Sequence, residues 1–193
     1  LTTSISGHAS WLRQTLGEEP ISIVIGYDVR KFENLRGDLE RDIMSPVDGL
    51  SSRQFAEIAA EVYSAHDITV HLPEPDAVLS TPELSFAVRD LKANAGLVVS
   101  ASHNHPDDNG IKFYHDHGGQ LVPPFDQELA AHISEVNRVE RMSLDRATAN
   151  GLIRIIPPEV HQRYIDANLA ISRTPSARNV SIVFTPLHGT ADS

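Results

Sequence analysis

Apolar residues along the chain switch between two periods. "ISIVIGYDV" (21–29), "ITVHLP" (68–73) and "AGLVVSAS" (95–102) are short apolar runs rich in β-branched residues, the composition of strands buried on both faces. Between them the apolar positions fall at helical spacing. In "SSRQFAEIAAEVYSAHD" (51–67) Phe55, Ile58, Ala59, Val62 and Tyr63 share one face, with Ser51 or Ser52 as cap. "STPELSFAVRDLKA" (80–93) opens with a serine or threonine cap, Pro82 in the first turn and Glu83 behind it. Strand, helix, strand, helix, strand predicts an α/β sheet with crossover helices.

Further along, "IKFYHDHGGQLV" predicts a strand, a glycine turn and a short return strand. Helices are expected at 125–139, capped near Asp126, and at 157–172. "NVSIVFTPLHGT" (179–190) predicts a new strand and loop, which divides the chain into one domain over 1–178 and the start of a second over 179–193. Residues 31–50, "KFENLRGDLERDIMSPVDGL", break the rhythm: charged and aperiodic, they are expected to form a surface insertion between the first strand and its helix.

Composition changes this picture little. The 193 residues are 40% hydrophobic and 22% charged, enough for a real core. No apolar run approaches the ~20 residues that span a bilayer, and the N-terminus lacks a basic stretch followed by an apolar one, so neither a membrane span nor a signal peptide is expected. With no cysteine, disulfides and thiolate metal sites are excluded and a cytoplasmic location is the default. A net charge of −10 argues against a nucleic-acid partner. It leaves room for a small phosphorylated ligand, held by a few aimed cations and N–H groups.

The candidate chemistry sits in "GLVVSASHNHPDDNGIKFY" (96–114), where polar residues crowd directly after a strand. Ser102 stands at the carboxyl edge of the sheet, where open α/β folds bind ligands. A serine hydroxyl is a poor nucleophile without help, and His103, adjacent on an extended chain, would point to the opposite face. The surroundings suit a phosphate better than an acyl group: Lys112 supplies a cation, Asn104 and Asn109 supply amide donors, and Gly110 allows close backbone approach.

Ser100-Ala101-Ser102-His103-Asn104-His105, followed by Asn109-Gly110-Ile111-Lys112, resembles the phosphoserine loop of the α-D-phosphohexomutase family, T-A-S-H-N-P and then N-G-x-K. Ser100 replaces the threonine, and His105 takes the place of the proline, with Pro106 after it. Gly26-Tyr27-Asp28-Val29-Arg30, Thr81-Pro82-Glu83-Leu84 and Thr185-Pro186-Leu187-His188-Gly189 resemble three further family motifs in the same order. The Asp-Asn-Gly-x-Lys-x-Tyr run with its Gly-Gly-Gln leans towards the phosphoglucomutase/phosphopentomutase branch.

The resemblance implies a three-layer α/β/α sandwich with a mixed, mostly parallel sheet, as domain I of a sugar-phosphate mutase. Ser102 would carry the phosphoryl group, passing it to a hexose or pentose phosphate and then receiving the other phosphate of the resulting bisphosphate, which also serves as activator. Lys112 would be general acid/base or electrostatic clamp, and His103 and Asn104 would position the phosphoserine. Arg30 would hold the loop from below, with His188 in support. Magnesium would bridge the seryl phosphate to an aspartate loop, but no D-G-D-x-D-R stretch exists in these residues. The family's glycine-arginine segment is not recognisable before residue 21. The expected partners are therefore a small sugar phosphate and the remaining domains of the same enzyme, and turnover by this chain alone is not expected.

Other readings compete. His103, His105, His115 and His117, with Asp107, Asp108 and Asp116 nearby, form two H-x-H pairs that could chelate zinc. A non-catalytic α/β interaction domain descended from a mutase is the second. A serine esterase is the third, though no G-x-S-x-G elbow surrounds Ser102.

Overall fold

Every residue of Ala95–Val99 is buried, and that strand (β3) lies inside a five-stranded sheet. The structure, a computed structural model, describes residues 1–37, 47–75, 77–173, 179–187 and 189–190. In chain order the elements are α1 (Thr2–Leu16), β1 (Ser22–Tyr27), α2 (Ser52–Ala65), β2 (Thr69–Leu72), α3 (Thr81–Asp90), β3, β4 (Ile111–His115), α4 (Phe125–Ser134), α5 (Leu144–Ala149), β5 (Ile153–Ile155) and α6 (Pro158–Ala170). The sheet order is β4-β3-β1-β2-β5, with every pairing parallel except β3 with β4. The three-layer α/β/α sandwich with a mixed, mostly parallel sheet is thus the observed architecture.

Two apolar clusters fill the layers. Ile23, Ile25, Val70, Leu97 and Val99 pack with α1, α2 and α4 on one face. Val24, Val98 and Tyr114 pack with α3 and α6 on the other. Alternate residues of one strand serve opposite layers, which is why the central strands read as unbroken apolar runs. The caps follow the sequence too. Ser51 and Gln54 form a reciprocal capping box on α2, and the Ser80 hydroxyl accepts from the Glu83 N–H at the start of α3.

Several expectations need correction. The first helix was not expected; its buried face, Ile5, Ser6, Gly7, His8, Ala9, Trp11 and Leu12, mixes polar and small residues that blur the apolar period. Gly7 is needed for packing, since a Cβ there would stand 2.7 Å from the Ile133 Cα of α4. The return strand after the glycine turn reduces to one bridge, Tyr114 with Gln120. The fourth helix stops at Ser134, and Pro124 rather than Asp126 is its N-cap. The short α5 and β5 were not expected. Residues 179–187 form no strand: they find no ladder partner among the described residues, and Val183 is 99% exposed. His188, and residues 38–46 of the expected insertion, lie outside the described residues.

His8 is fully buried, with Nδ1 2.7 Å from the Tyr63 hydroxyl and no partner for Nε2 among the described residues. Burial, and then nearby His115, push its imidazole down to about 3. The folded state therefore keeps His8 neutral while the unfolded chain takes up a proton below pH ~6.5. Stability is full above that pH and falls below it, by about 2 kcal/mol at pH 5 from this residue. Burial also lowers His66, His71 and His115, adding in the same direction. The thermal midpoint is expected to drop between pH 7.5 and 5, and His8→Gln should flatten that slope; an unchanged slope would rule out His8 as its source.

Candidate active site

After β1 the chain adds β2 on one side of it and then β3 and β4 on the other, so the order of strand addition reverses between the parallel neighbours β1 and β3. Loops leaving adjacent strands at such a point part to opposite faces and open a crevice. Here those loops carry Asp28–Arg30 from β1 and residues 100–110 from β3. They stay in touch at the base, where Asp28 N–H donates to the Val99 carbonyl at 3.2 Å.

Asp28 and Arg30 organise the crevice. Each side chain is 12% exposed, and Arg30 Nε donates to Asp28 Oδ2 at 2.9 Å. The other carboxylate oxygen, Oδ1, accepts from the Arg30 N–H and from the Ser52 hydroxyl, at 3.1 and 2.6 Å. Held this way, the guanidinium turns its remaining nitrogens on the loop. Nη1 donates to the carbonyls of Asn104, His105 and Asp108 at 3.1, 2.7 and 3.2 Å, and Nη2 donates to the carbonyl of Ser102. One cation thus curls the loop around itself, and Arg30 is a partly buried clamp.

The loop's other end is tied to the same carboxylate. Asn109 Nδ2 donates to Ser52 Oγ at 2.9 Å, extending a chain from Asn109 through Ser52 to Asp28. Ser100 N–H donates to the Gly110 carbonyl at 2.9 Å and closes the loop's neck. A Cβ on Gly110 would meet the Ser100 carbonyl at 3.4 Å, an ordinary contact, so space alone does not demand glycine there.

Ser102 lies at the exposed tip with φ of 57°, and its N–H donates to Ser100 Oγ at 3.0 Å. That left-handed turn breaks the strand-like alternation expected of Ser102 and His103, and Ser102 Oγ lies 3.2 Å from His103 Nδ1. No carboxylate pairs with His103 among the described residues, so the contact is not a hydrolase triad. Asn104 keeps its side chain at the surface and uses its backbone for the turn, donating to the Ala101 carbonyl. Lys112 pairs with Val98 at the start of β4, at the same end of the sheet, and its ammonium has no ion pair among the described residues.

The loop's outer arm meets the segment after β1. Both Asp107 oxygens accept main-chain N–H groups, from Glu33 at 3.2 Å and Arg36 at 2.9 Å. Arg36 also grips Asp108 through both nitrogens, at 2.6 and 2.9 Å. Partial burial would raise the Asp107 carboxyl, but the N–H groups of Arg36, Glu33 and Leu35, with His105 beside them, bring it below its usual range. The Arg36 hydrogen bonds lower Asp108 as well. Residues 33–36 of the expected free insertion are therefore docked on the Ser102 loop.

The two H-x-H pairs do not converge. His115 and His117 stack 5.1 Å apart beyond β4, and His117 Nδ1 accepts from the Gly119 N–H. Among the described residues no group of three His, Asp or Glu side chains is placed to hold a metal ion. Asp28, Asp107 and Asp108 are all engaged by arginine or N–H groups, so the described residues do not form a magnesium site by themselves.

Residues 49–140 match the family model for phosphoglucomutase/phosphomannomutase, alpha/beta/alpha domain I. The phosphoglucomutase of Staphylococcus aureus is 36% identical over 172 residues, 88% of this chain and 27% of that protein. That of Staphylococcus epidermidis is 37% identical over 142 residues, 72% of this chain and 26% of that protein. The chain belongs to the phosphohexomutase family. It spans about a quarter of the length of these relatives.

Solved phosphohexomutase structures share the fold. An exocytosis-sensitive phosphoprotein from Paramecium, pp63/parafusin, titled a phosphoglucomutase, superposes with a TM-score of 0.70 at 17% identity, covering 98% of this chain and 35% of that one. A phosphoglucomutase/phosphomannomutase family protein from Burkholderia thailandensis gives 0.57 at 20% identity, over 88% of this chain and 31% of that one.

Asp28, Ser52 and Arg36 were missed as site residues, and Asp107 and Asp108 were weighed only beside the H-x-H pairs. Asp28 was legible in its Gly-Tyr-Asp-Val-Arg motif, and Ser52 only as a helix cap; nothing in the sequence joined Arg36 to Asp108. Arg30→Ala removes the clamp, and the partly buried Asp28 is left unpaired. The expected loss is about 3 kcal/mol, with faster amide exchange across residues 102–108. Unchanged exchange in that loop would show that the clamp does not order it.

Proposed function

We propose that this chain supplies the phosphoserine part of a sugar-phosphate mutase, an isomerase interconverting the 1-phosphate of a hexose or pentose with its 6- or 5-phosphate. The observation that carries the reading is Ser102 itself. An exposed hydroxyl at the sheet's switch point sits on a loop whose carbonyls are turned inward onto Arg30. Such a loop leaves its exposed tip at Ser102 open to an anion.

In this reading phosphorylated Ser102 gives its phosphoryl group to a sugar hydroxyl. The Oγ–P bond breaks, an O–P bond to the sugar forms, and the hydroxyl proton passes to a base. The bisphosphate then turns over, and the reverse steps return its other phosphate to Ser102. Positioning and charge supply most of the catalysis in phosphoryl transfer. Lys112, which has no ion pair among the described residues, neutralises the transferring group or shuttles the proton. His103, 3.2 Å from Oγ, steadies the seryl oxygen, and Asn104 offers an amide at the exposed rim.

Asn109 and Gly110 hold the neck of the loop, and Arg30 holds its core. His188 would approach from the following segment in a supporting role, within a second domain beginning near residue 179. Magnesium would screen the charge of the seryl phosphate, with carboxylate ligands from parts of the enzyme beyond these residues, and a sugar bisphosphate would act as activator. Among the described residues no helix is long and apolar enough to cross a membrane, and a cytoplasmic enzyme is the companion expectation.

In the enzyme that contains this chain, Ser102→Ala should abolish mutase activity and remove the phosphopeptide seen by mass spectrometry. Full activity in that variant would overturn the reading. Lys112→Met should slow turnover by about 10²-fold while Ser102 phosphate stays detectable; an unchanged rate would remove Lys112 from the mechanism.

A further inference from the structure

The segment 33–36 lies outside the span matched by the family model, yet it makes some of the most directed contacts to the Ser102 loop. Two of its main-chain donors and one guanidinium are given to consecutive carboxylates, Asp107 and Asp108. The Asp107 side chain is 6% exposed although its loop lies at the surface. The Arg36–Asp108 pair is more open, and pairs of that kind contribute little to folding. Its position matters more. The Asp108 and Ser102 carbonyls accept from the same Arg30 guanidinium, so the residue that Arg36 grips is tied to the same backbone turn as Ser102. An unpaired carboxylate there would repel both a seryl phosphate and an incoming phosphate dianion.

We propose that residues 33–36 are a positioning element of the phosphoryl-transfer site. They brace the 105–108 arm from outside, and Arg36 neutralises Asp108 so that the loop admits a sugar-phosphate dianion. Arg36 and Asp107 touch none of the reacting atoms; they act through the loop. The inference rests on the mutase reading above. It adds an outer clamp to the inner one formed by Arg30, so the loop is held from both sides.

A charge-neutralising role separates from a merely structural one by rescue. In the enzyme containing this chain, wild type, Arg36→Gln and Arg36→Gln/Asp108→Asn are compared on glucose 1-phosphate, with mannose 1-phosphate and ribose 1-phosphate run in parallel. The single variant should raise KM about tenfold with kcat within about threefold of wild type, the pattern of lost ground-state binding. The double variant, which lacks the charge that needed neutralising, should bring KM back to within about threefold of wild type. Amide exchange at 105–108 should quicken in the single variant. With the wild type active, an unchanged KM in Arg36→Gln, or a double variant no better than the single, overturns this inference and leaves the mutase reading standing. A wild type inactive on all three sugars, with no phosphate on Ser102, sinks both.

Discussion

The Asp28 carboxylate is the constraint on which the rest of the site depends. It accepts from Arg30 twice and from Ser52 once, and through these partners it reaches both ends of the Ser102 loop. A guanidinium free to rotate could not hold four carbonyls in one turn; one anchored at Nε by a carboxylate that is itself fixed can. The loop's shape is therefore set from β1, one strand away. The parallel pairing of β1 with β3, in register from Ile23 and Ala95 to Tyr27 and Val99, brings that pair beneath the loop.

Charge is handled sparingly. The chain carries −10 overall, and yet the ligand proposed for the site is phosphorylated. Arg30 spends its charge on Asp28 and backbone carbonyls, and Arg36 spends its own on Asp108. Turning carbonyls inward and covering carboxylates removes negative groups from the surface that a phosphate would approach. Lys112, which has no ion pair among the described residues, stands at the same end of the sheet.

The loop itself was legible in the sequence. Ser102, His103, Asn104, Asn109 and Lys112 fall within a short run, and local spacing carries their pattern. The supporting shell was not legible, because Arg36 and Asp108 are far apart along the chain and meet only when residues 33–36 fold back over the loop. The same limit hid α1, whose buried Ser6, Gly7 and His8 make sense only against α2, α4 and β4. Residues 179–187 show the converse: an apolar, β-branched run that reads as a strand but has no ladder partner among the described residues.

By itself the sequence determined the alternation of buried strands and capped helices, the parallel sheet that follows from it, and the placing of a serine-centred polar loop at a strand's carboxyl end. These are consequences of period, cap and turn chemistry, which act over a few residues. Only the tertiary structure decided that Ser102 takes a left-handed turn beside His103, which carbonyls Arg30 holds, and that residues 33–36 are docked. Those outcomes turn on which main-chain groups remain unpaired once the sheet is built, and that is settled by contacts between segments remote in the chain.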